Sequence, residues 1–433
     1  MLQTLFYIPA QVAGMPVFGF GLLLAAWAAF ALGLLTWLVR RQGFNADTLG
    51  YLPLLLIVAG AILWVLPAIS EPRGLPIRGY GVMILLAVTS GTGLAVWRAR
   101  RVGVNPEMIL SLAFWMILPA IVGARVFYVT EYWSEQYWPI YPEKGLAALI
   151  VAVLNVANGG LVIYGGFFGG VVGLLAFFRK YRVPLLATAD LVAPSLMLGL
   201  ALGRIGCLLN GCCFGGACDL PWAVSFPAGS PPYASQVARG VMYGFVLQSD
   251  PKTAPVVKRV APHSEAAEAG LRPGDHVQSI SGSDVTSSGQ AHYVLSRMFN
   301  EKKKLVLTLA DGRTLTLAAV SPPAHSHPVH PTQIYSTIDA LLICLFLLAY
   351  DPFRRRDGEL WALMLTVYPV ARFLEESIRN DEAAILGTGM TISQNVSVLL
   401  LLAAIGLWCY LLRQPRGLAY VNNLNGSGTR RVP

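Results

Sequence analysis

The sequence predicts an all-α polytopic membrane protein of about nine transmembrane helices, interrupted by one inserted α+β segment of soluble character. Three observations carry this. Mean hydropathy is +0.57, and charged residues make up only 13% of the 433, about half the ~25% usual in soluble proteins. Apolar stretches of roughly 17–25 residues recur, the length that crosses a bilayer as a helix. Between residues 240 and 318 the pattern changes to short alternating strands and polar turns.

Taken in order, the spans are expected near 17–39, 50–69, 79–97, 108–129, 160–178, 186–203, 333–350, 358–375 and 391–412. The first has no small-residue cleavage site and is read as retained. Arg40-Arg41, Arg98/Arg100/Arg101, Arg179-Lys180/Arg182, Arg354-Arg355-Arg356 and Arg413/Arg416 follow spans one, three, five, seven and nine. The opposite loops carry Glu71, Glu131, Glu135 and Glu143. The positive-inside rule then puts the N-terminus outside and the C-terminus in the cytoplasm. The net charge of +9 is explained by these span ends and calls for no nucleic acid partner.

Gly14-Met-Pro16-Val-Phe18-Gly19-Phe20-Gly21 resembles Gly74-Leu-Pro76-Ile-Arg78-Gly79-Tyr80-Gly81, and the match runs on without gaps to Arg40-Arg41 against Arg100-Arg101. Spans one and two read as a duplicate of spans three and four. The first copy has Phe18, Phe20 and Val65 where the second has Arg78, Tyr80 and Arg125, so any polar chemistry belongs to the second. The expected organisation is a two-helix extension (1–73), a membrane core (74–236), an insert (237–320), and the rest of the core with a tail (321–433).

Within the insert, Leu305–Leu309, Asp311-Gly312 and Thr314–Leu317 read as a hairpin with a tight turn. Upstream, Ser264-Glu-Ala-Ala-Glu-Ala-Gly270-Leu271-Arg-Pro273-Gly274-Asp275-His-Val277 resembles the helix, turn and strand of a PDZ domain. Tyr243-Gly244-Phe245-Val246 then stands where such domains place their carboxylate-binding loop. The resemblance implies capture of an extended peptide C-terminus by strand addition, through Gly244, Phe245 and Val246.

Polar residues mark the span ends. Tyr368, Arg372, Glu376 and Arg379 lie at i, i+4, i+8 and i+11, one face of a continuous helix. Charge in hydrocarbon costs at least ~2.5 kcal/mol, so such a face is expected to turn inward onto a polar substrate. Further clusters are Arg78-Gly79-Tyr80; Gly123-Ala-Arg125-Val-Phe-Tyr128; Tyr164-Gly165-Gly166; and Gly203-Arg204-Ile-Gly206-Cys207-Leu-Leu-Asn210-Gly211-Cys212-Cys213-Phe214-Gly215. Arginine forks suit phosphate, and glycines admit close backbone approach. Two intramembrane arginine sites point to an anionic lipid headgroup. His-Glu-x-x-His and Gly-x-Ser-x-Gly are both absent from the sequence, which argues against an intramembrane metalloprotease or serine protease.

In this order the clusters resemble the bacterial prolipoprotein diacylglyceryl transferase family over residues 74–230 and 327–412. His330-Pro331-Thr332-Gln333-Ile334-Tyr335 and Ile392-Ser393-Gln394 match further family motifs. The resemblance implies transfer of the diacylglyceryl group of phosphatidylglycerol to the lipobox cysteine of a prolipoprotein signal peptide, at the outer leaflet of a bacterial inner membrane. It implies no metal and no diffusible cofactor. By motif, Arg204 and Arg372 would hold the phosphate, and Tyr80, Tyr368, Glu376 and Arg379 would complete the cavity. Arg78, Arg125, Gly165, Gly166, Gly206, Asn210, Gly215, His330 and Gln333 would shape the lipid site.

The chain departs from the family pattern in three places. Tyr164 replaces the histidine of the His-Gly-Gly motif, while Cys207 and Cys212 replace a signature asparagine and glutamate. A phenol near pKa ~10 is a weak base, so the proton acceptor is either Tyr164 or Glu376. Cys207, Cys212, Cys213 and Cys218 crowd one outward-facing segment, leaving disulfide pairing, packed thiols, a metal site and covalent catalysis by a cysteine open. A catalytically inactive lipid-binding paralogue, a lipoprotein chaperone, and a transferase with a different donor or acceptor are the competing readings.

Overall fold

The computed structural model describes residues 3–154, 160, 162–248, 250, 253–379 and 388–420. The helices, in chain order, are α1 (Leu22–Gln42), α2 (Ala46–Leu49), α3 (Leu52–Gly60), α4 (Leu66–Ile69), α5 (Gly79–Arg101), α6 (Pro106–Glu131), α7 (Ile140–Leu154), α8 (Ile163–Tyr181), α9 (Leu185–Asn210), α10 (Pro231–Ala238), α11 (Glu265–Glu268), α12 (Ser288–Asn300), α13 (Thr332–Tyr350), α14 (Glu359–Glu376) and α15 (Ile392–Arg413). The strands are β1 (Thr4–Ile8), β2 (Gln11–Val12), β3 (Met15–Pro16), β4 (Leu75–Arg78), β5 (Phe245–Leu247), β6 (Val257–Val260), β7 (Val277–Ile280), β8 (Ser283–Asp284), β9 (Leu305–Leu309) and β10 (Thr314–Leu317).

The protein is mostly helical and multi-pass. Among the described residues, seven helical segments are long and apolar enough to cross a membrane: Leu22–Arg41, Leu52–Ile69, Gly79–Arg101, Pro106–Glu131, Leu185–Asn210, Thr332–Phe353 and Ile392–Arg413. Two expected spans, at α8 and α14, fall outside that set. Helix α14 carries Glu359, Arg372, Glu375 and Glu376 within 18 residues, a charge load that hydrocarbon does not tolerate unless the charges are paired.

The chain forms two compact units. One holds Thr4–Arg78 and Ala99–Leu185. Its β1 pairs antiparallel with β4, from Thr4 against Arg78 to Ile8 against Leu75, an element the hydropathy pattern did not suggest. Helix α6 starts on Asn105, whose side chain accepts from the Glu107 amide, with Pro106 in the first turn. Helix α8 meets α6 through Gly165, Gly169 and Gly173. A Cβ at these positions would collide with the Gly123, Pro119 and Trp115 carbonyls respectively. Glycines at four-residue spacing let two backbones touch, and this drives helix pairing where no water is displaced.

The other unit holds Gln3, Gly79–Arg98 and the described residues from Leu186 onward. Helices α9, α13 and α14 pack around Ala193, Met197, Ile343, Cys344, Leu347, Leu360 and Met364. The fully buried Asp190 on α9 accepts from the amides of Gly358 (2.7 Å) and Trp361 (2.9 Å), so it caps α14 from a neighbouring helix. Its carboxylate also meets Arg354 at 3.4 Å, Arg354 meets Asp351 at 3.0 Å, and Asp351 meets Arg98 at 2.9 Å. Arg98 and Arg354, read from the sequence as span-end basic residues, are thus paired within the fold. Both are buried in a paired network that offsets their desolvation.

Residues 231–317 surround a separate core that includes Phe245, Leu247, Ile280, Leu295, Leu305 and Leu307. Here β10, β9, β7 and β8 lie in that order in one sheet, and β5 pairs with β6. The hairpin read from the sequence is present, with Leu305 against Leu317 and Thr308 against Thr314. On α12, burial lowers the His292 pKa, with the Arg239 charge adding to the effect. The unfolded chain takes up a proton near pH ~6.5 that folded His292 refuses. The insert should therefore keep its stability above that pH and lose it as pH falls through and below it. Limited proteolysis of the full chain from pH 7.5 to 5.5 should show the insert opening at the acid end, and H292F should flatten the profile.

Candidate active site

The site grows from the C-terminal end of α9. Gly206 lies where α5 crosses: a Cβ there would stand 3.1 Å from Met83 Cβ and 3.2 Å from Tyr80 Cδ2. Tyr80, in the first turn of α5, is thereby set against the α9 end. Arg204, two residues earlier on α9, lies within electrostatic reach of Tyr368, Cys213, Cys207 and Glu375. Its Nε is buried and has no hydrogen-bond partner among the described residues.

After Asn210 the chain reverses tightly. Gly211 has φ +80° and Cys213 φ +58°, and the Gly211 and Cys212 amides both return to the Cys207 carbonyl. The Gln333 side chain donates to the Cys212 carbonyl, and the Thr332 hydroxyl to the Cys213 carbonyl, each at 2.6 Å. The Gly215 amide donates to the His330 carbonyl, and the His330 amide returns to Gly216. Gly215 has no room for a side chain, since a Cβ would lie 2.6 Å from His330 Cβ. Gly215→Ala should cost ~1–3 kcal/mol through overpacking and separate these two segments. Thermal unfolding in detergent and a transfer assay would both register the loss.

The α14 end completes the site. Glu376 is 2% exposed and lies between two arginines, 2.7 Å from Arg372 and 3.6 Å from Arg379. Arg372 also donates to Ser393 at 2.9 Å, while its Nη1 is buried with no hydrogen-bond partner among the described residues. The expected four-residue helical stripe needs one correction. Helix α14 stops at Glu376, and Arg379 returns to it from a short bridge with Gly215. The Gly216 amide holds the Ile378 carbonyl at 3.0 Å, which draws the chain out of the helix.

Outside α9, hydrogen bonds from the Cys207 and Cys212 thiols drive the Cys213 pKa down, and the Arg379 and Arg204 charges add to this. All six cysteines are free thiols.

Other expected site residues have different surroundings. Arg125 donates to the carbonyls of Val153 (2.8 Å), Ala152 (2.8 Å) and Gly160 (3.1 Å) and lies over the Tyr128 ring. It ties backbone rather than presenting an open fork. Arg78 is exposed and lies 3.8 Å from Glu71. Gly165 and Gly166 line the α6–α8 contact. The Tyr164 side chain lies outside the described residues. His330 meets Tyr335 at 3.3 Å through Nδ1. In the insert, the Gly244 and Phe245 amides donate to Val241 and Gly240, and Phe245 is buried in the core.

Sequence reasoning passed over two site groups. Glu375 accepts from Ser336 and leaves Oε1 buried with no hydrogen-bond partner among the described residues. Ser393 belongs to a motif legible in the sequence, but its partnership with Arg372 is set by the fold. The adjacent pair Glu375-Glu376 in an apolar segment was the available signal for the first.

Fold and site together define a multi-pass membrane protein with a paired-arginine polar site at the ends of its helices. The prolipoprotein diacylglyceryl transferase family model matches residues 67–410, and the chain belongs to that family of transferases. The phosphatidylglycerol–prolipoprotein diacylglyceryl transferase of Rhodopirellula baltica is 34% identical over 94% of this chain and 88% of its own length. The Trichormus variabilis protein of the same name is 38% identical over 37% of this chain and 54% of its own length. A Clostridium perfringens transferase is 24% identical over 78% of this chain and 93% of its own.

Proposed function

We infer that the chain transfers the diacylglyceryl group of phosphatidylglycerol to the thiol of a prolipoprotein lipobox cysteine, releasing glycerol phosphate. One observation carries the mechanism: Arg204 Nε and Arg372 Nη1 are buried donors without hydrogen-bond partners among the described residues. Orphaned buried donors are costly, and a phosphate would satisfy both. In this reading the two arginines hold the phosphodiester and stabilise charge developing on the leaving phosphate. Glu376 fixes the spacing of Arg372 and Arg379. Tyr80 and Tyr368 close the cavity, and Asn210, Gly206 and Gly215 shape its floor. The acceptor sulfur attacks the glyceryl carbon that bears the phosphate; the C–S bond forms as the C–O bond breaks.

The finer architecture is part of the same proposal. Helices α8 and α14 bring the spans to nine, the N-terminus and the insert lie outside the cytoplasm, and the membrane is a bacterial inner membrane. Residues 1–73 are a two-helix duplicate, 74–236 and 321–433 form the transferase core, and 237–320 is a PDZ-like domain. A peptide C-terminus at Gly244–Val246 would have to displace two internal amide hydrogen bonds. A more accessible surface is the cleft of about 790 Å³ between the insert and the Phe214–Ala217 loop, which Gly244, Val246 and Arg259 also line.

The test is transfer in liposomes, using phosphatidylglycerol labelled in its acyl chains and a lipobox peptide. Labelled peptide together with free glycerol phosphate is the expected product. Phosphatidylglycerol binding without product would replace the reading with a lipid-binding relative.

A further inference from the structure

We propose that Cys207, Cys212 and Cys213 form a three-thiolate zinc site whose fourth position takes the acceptor thiol of the lipoprotein substrate. This rests on the transferase reading above and supplies the means by which the acceptor is ionised.

The three sulfurs lie within 4.8 Å of one another. Tetrahedral zinc bound at ~2.3 Å to each sulfur sets them about 3.8 Å apart, so shifts of an ångström or less close the site. The turn that gathers them is built at a cost. Adjacent cysteines in an extended chain point to opposite sides. Here Cys213 adopts φ +58° and Gly211 φ +80°, and Thr332 and Gln333 clamp the carbonyls of Cys213 and Cys212. A non-glycine residue held left-handed by its neighbours is commonly found where a site needs the geometry.

Charge and ligand type agree with this assignment. Three thiolates around a dication leave one net negative charge, and the Arg379 and Arg204 guanidiniums lie within electrostatic reach of it. Soft sulfur donors select zinc over magnesium or calcium, and three protein ligands leave one position open.

The chemistry at that position balances. The acceptor thiol releases its proton to solvent as it joins the metal, because a coordinated thiol is ionised at neutral pH. Its sulfur pair then forms the C–S bond to the glyceryl carbon. The C–O bond breaks, and that pair departs on glycerol phosphate beside Arg204. A separate side-chain base is then unnecessary, which accommodates Tyr164 in place of the family histidine.

The test uses full-length protein purified without chelators. Elemental analysis should give about one zinc per chain, lost in C212S and in C207S. Chelation of the wild type should lower transfer about 100-fold, with recovery on adding zinc. After refilling with cobalt(II), a cysteine lipobox peptide should shift the cobalt absorption bands, and its serine counterpart should not. Chelation and refilling use unaltered protein, so misfolding of a variant cannot decide the result. Free thiols without metal, or a disulfide among the three by mass spectrometry, would overturn the site. Bound zinc with a cobalt spectrum indifferent to the cysteine peptide would overturn the fourth-position assignment. A spectrum that responds to the peptide, with no transfer from phosphatidylglycerol, would uphold the metal site and sink the transferase reading instead.

Discussion

Arg204→Ala should reduce transfer by about 10²–10³-fold, with the loss in kcat as well as in lipid affinity. The Arg204 Nε is buried with no hydrogen-bond partner among the described residues, so the guanidinium can take up a further acceptor. Truncation removes that donor and one positive charge from the cavity. It should leave the α9–α5 contact intact, because Gly206, not Arg204, makes the close approach to Met83 and Tyr80. Arg204→Lys separates charge from geometry. It keeps the cation but loses the planar fork, and the two substitutions should differ if bidentate phosphate contact matters. Steady-state transfer with labelled phosphatidylglycerol, alongside equilibrium lipid binding, distinguishes the cases. An Arg204→Ala protein with unchanged turnover would remove this arginine from the reaction.

Glu376→Gln should abolish measurable transfer and lower thermal stability as well. The carboxylate is 2% exposed and paired with Arg372 and Arg379. The amide keeps the volume and withdraws the charge, leaving two guanidiniums facing a neutral group. Removing one partner of a buried ion pair typically costs 3–5 kcal/mol. Arg372 would retain Ser393 but not its spacing from Arg379. A loss of activity without any change in melting temperature would contradict the clamp and favour a direct proton-transfer role for Glu376. Activity and thermal unfolding measured on one preparation decide between the two.

These residues differ in how far the sequence revealed them. Long apolar runs give membrane-length helices at Leu22, Gly79, Pro106 and Ile392 because hydropathy is summed over a whole segment and tolerates local error. The α9 signature and the His330 motif were also visible, and the structure joins them through Gly215 and Gln333. Pairing was not visible. Arg98, Arg125, Arg204 and Arg372 are the same letter within apolar helices, yet Arg98 closes a buried network and Arg125 binds three carbonyls. Arg204 and Arg372 each keep a buried donor without a hydrogen-bond partner among the described residues. Only the arrangement of neighbours separates these roles. Glycine is equally ambiguous. Gly165 and Gly166 read as room for a ligand, and the structure uses them as room for α6. Arg379 fits the helical period, but period alone cannot foresee that a passing strand segment ends α14 at Glu376.

Residues 224–227 and 325–329 run side by side as a narrow zipper on either side of the segment that folds around its own core. Val224 lies against Val329 and Pro227 against His325, and Phe226 and Ser326 bond one another through backbone and side chain. The two strands of the zipper are already side by side before the insert begins. Closing them with about eighty residues rather than a short turn raises the loop-closure cost by only about 2–3 kcal/mol. This place in the chain is therefore a socket. Domains can be gained, exchanged or lost there over evolutionary time while the arginines, Glu376 and the cysteine turn keep their positions. Length variation among relatives should concentrate between residues 228 and 324, and new delivery or docking specificities can be added there without altering the chemistry.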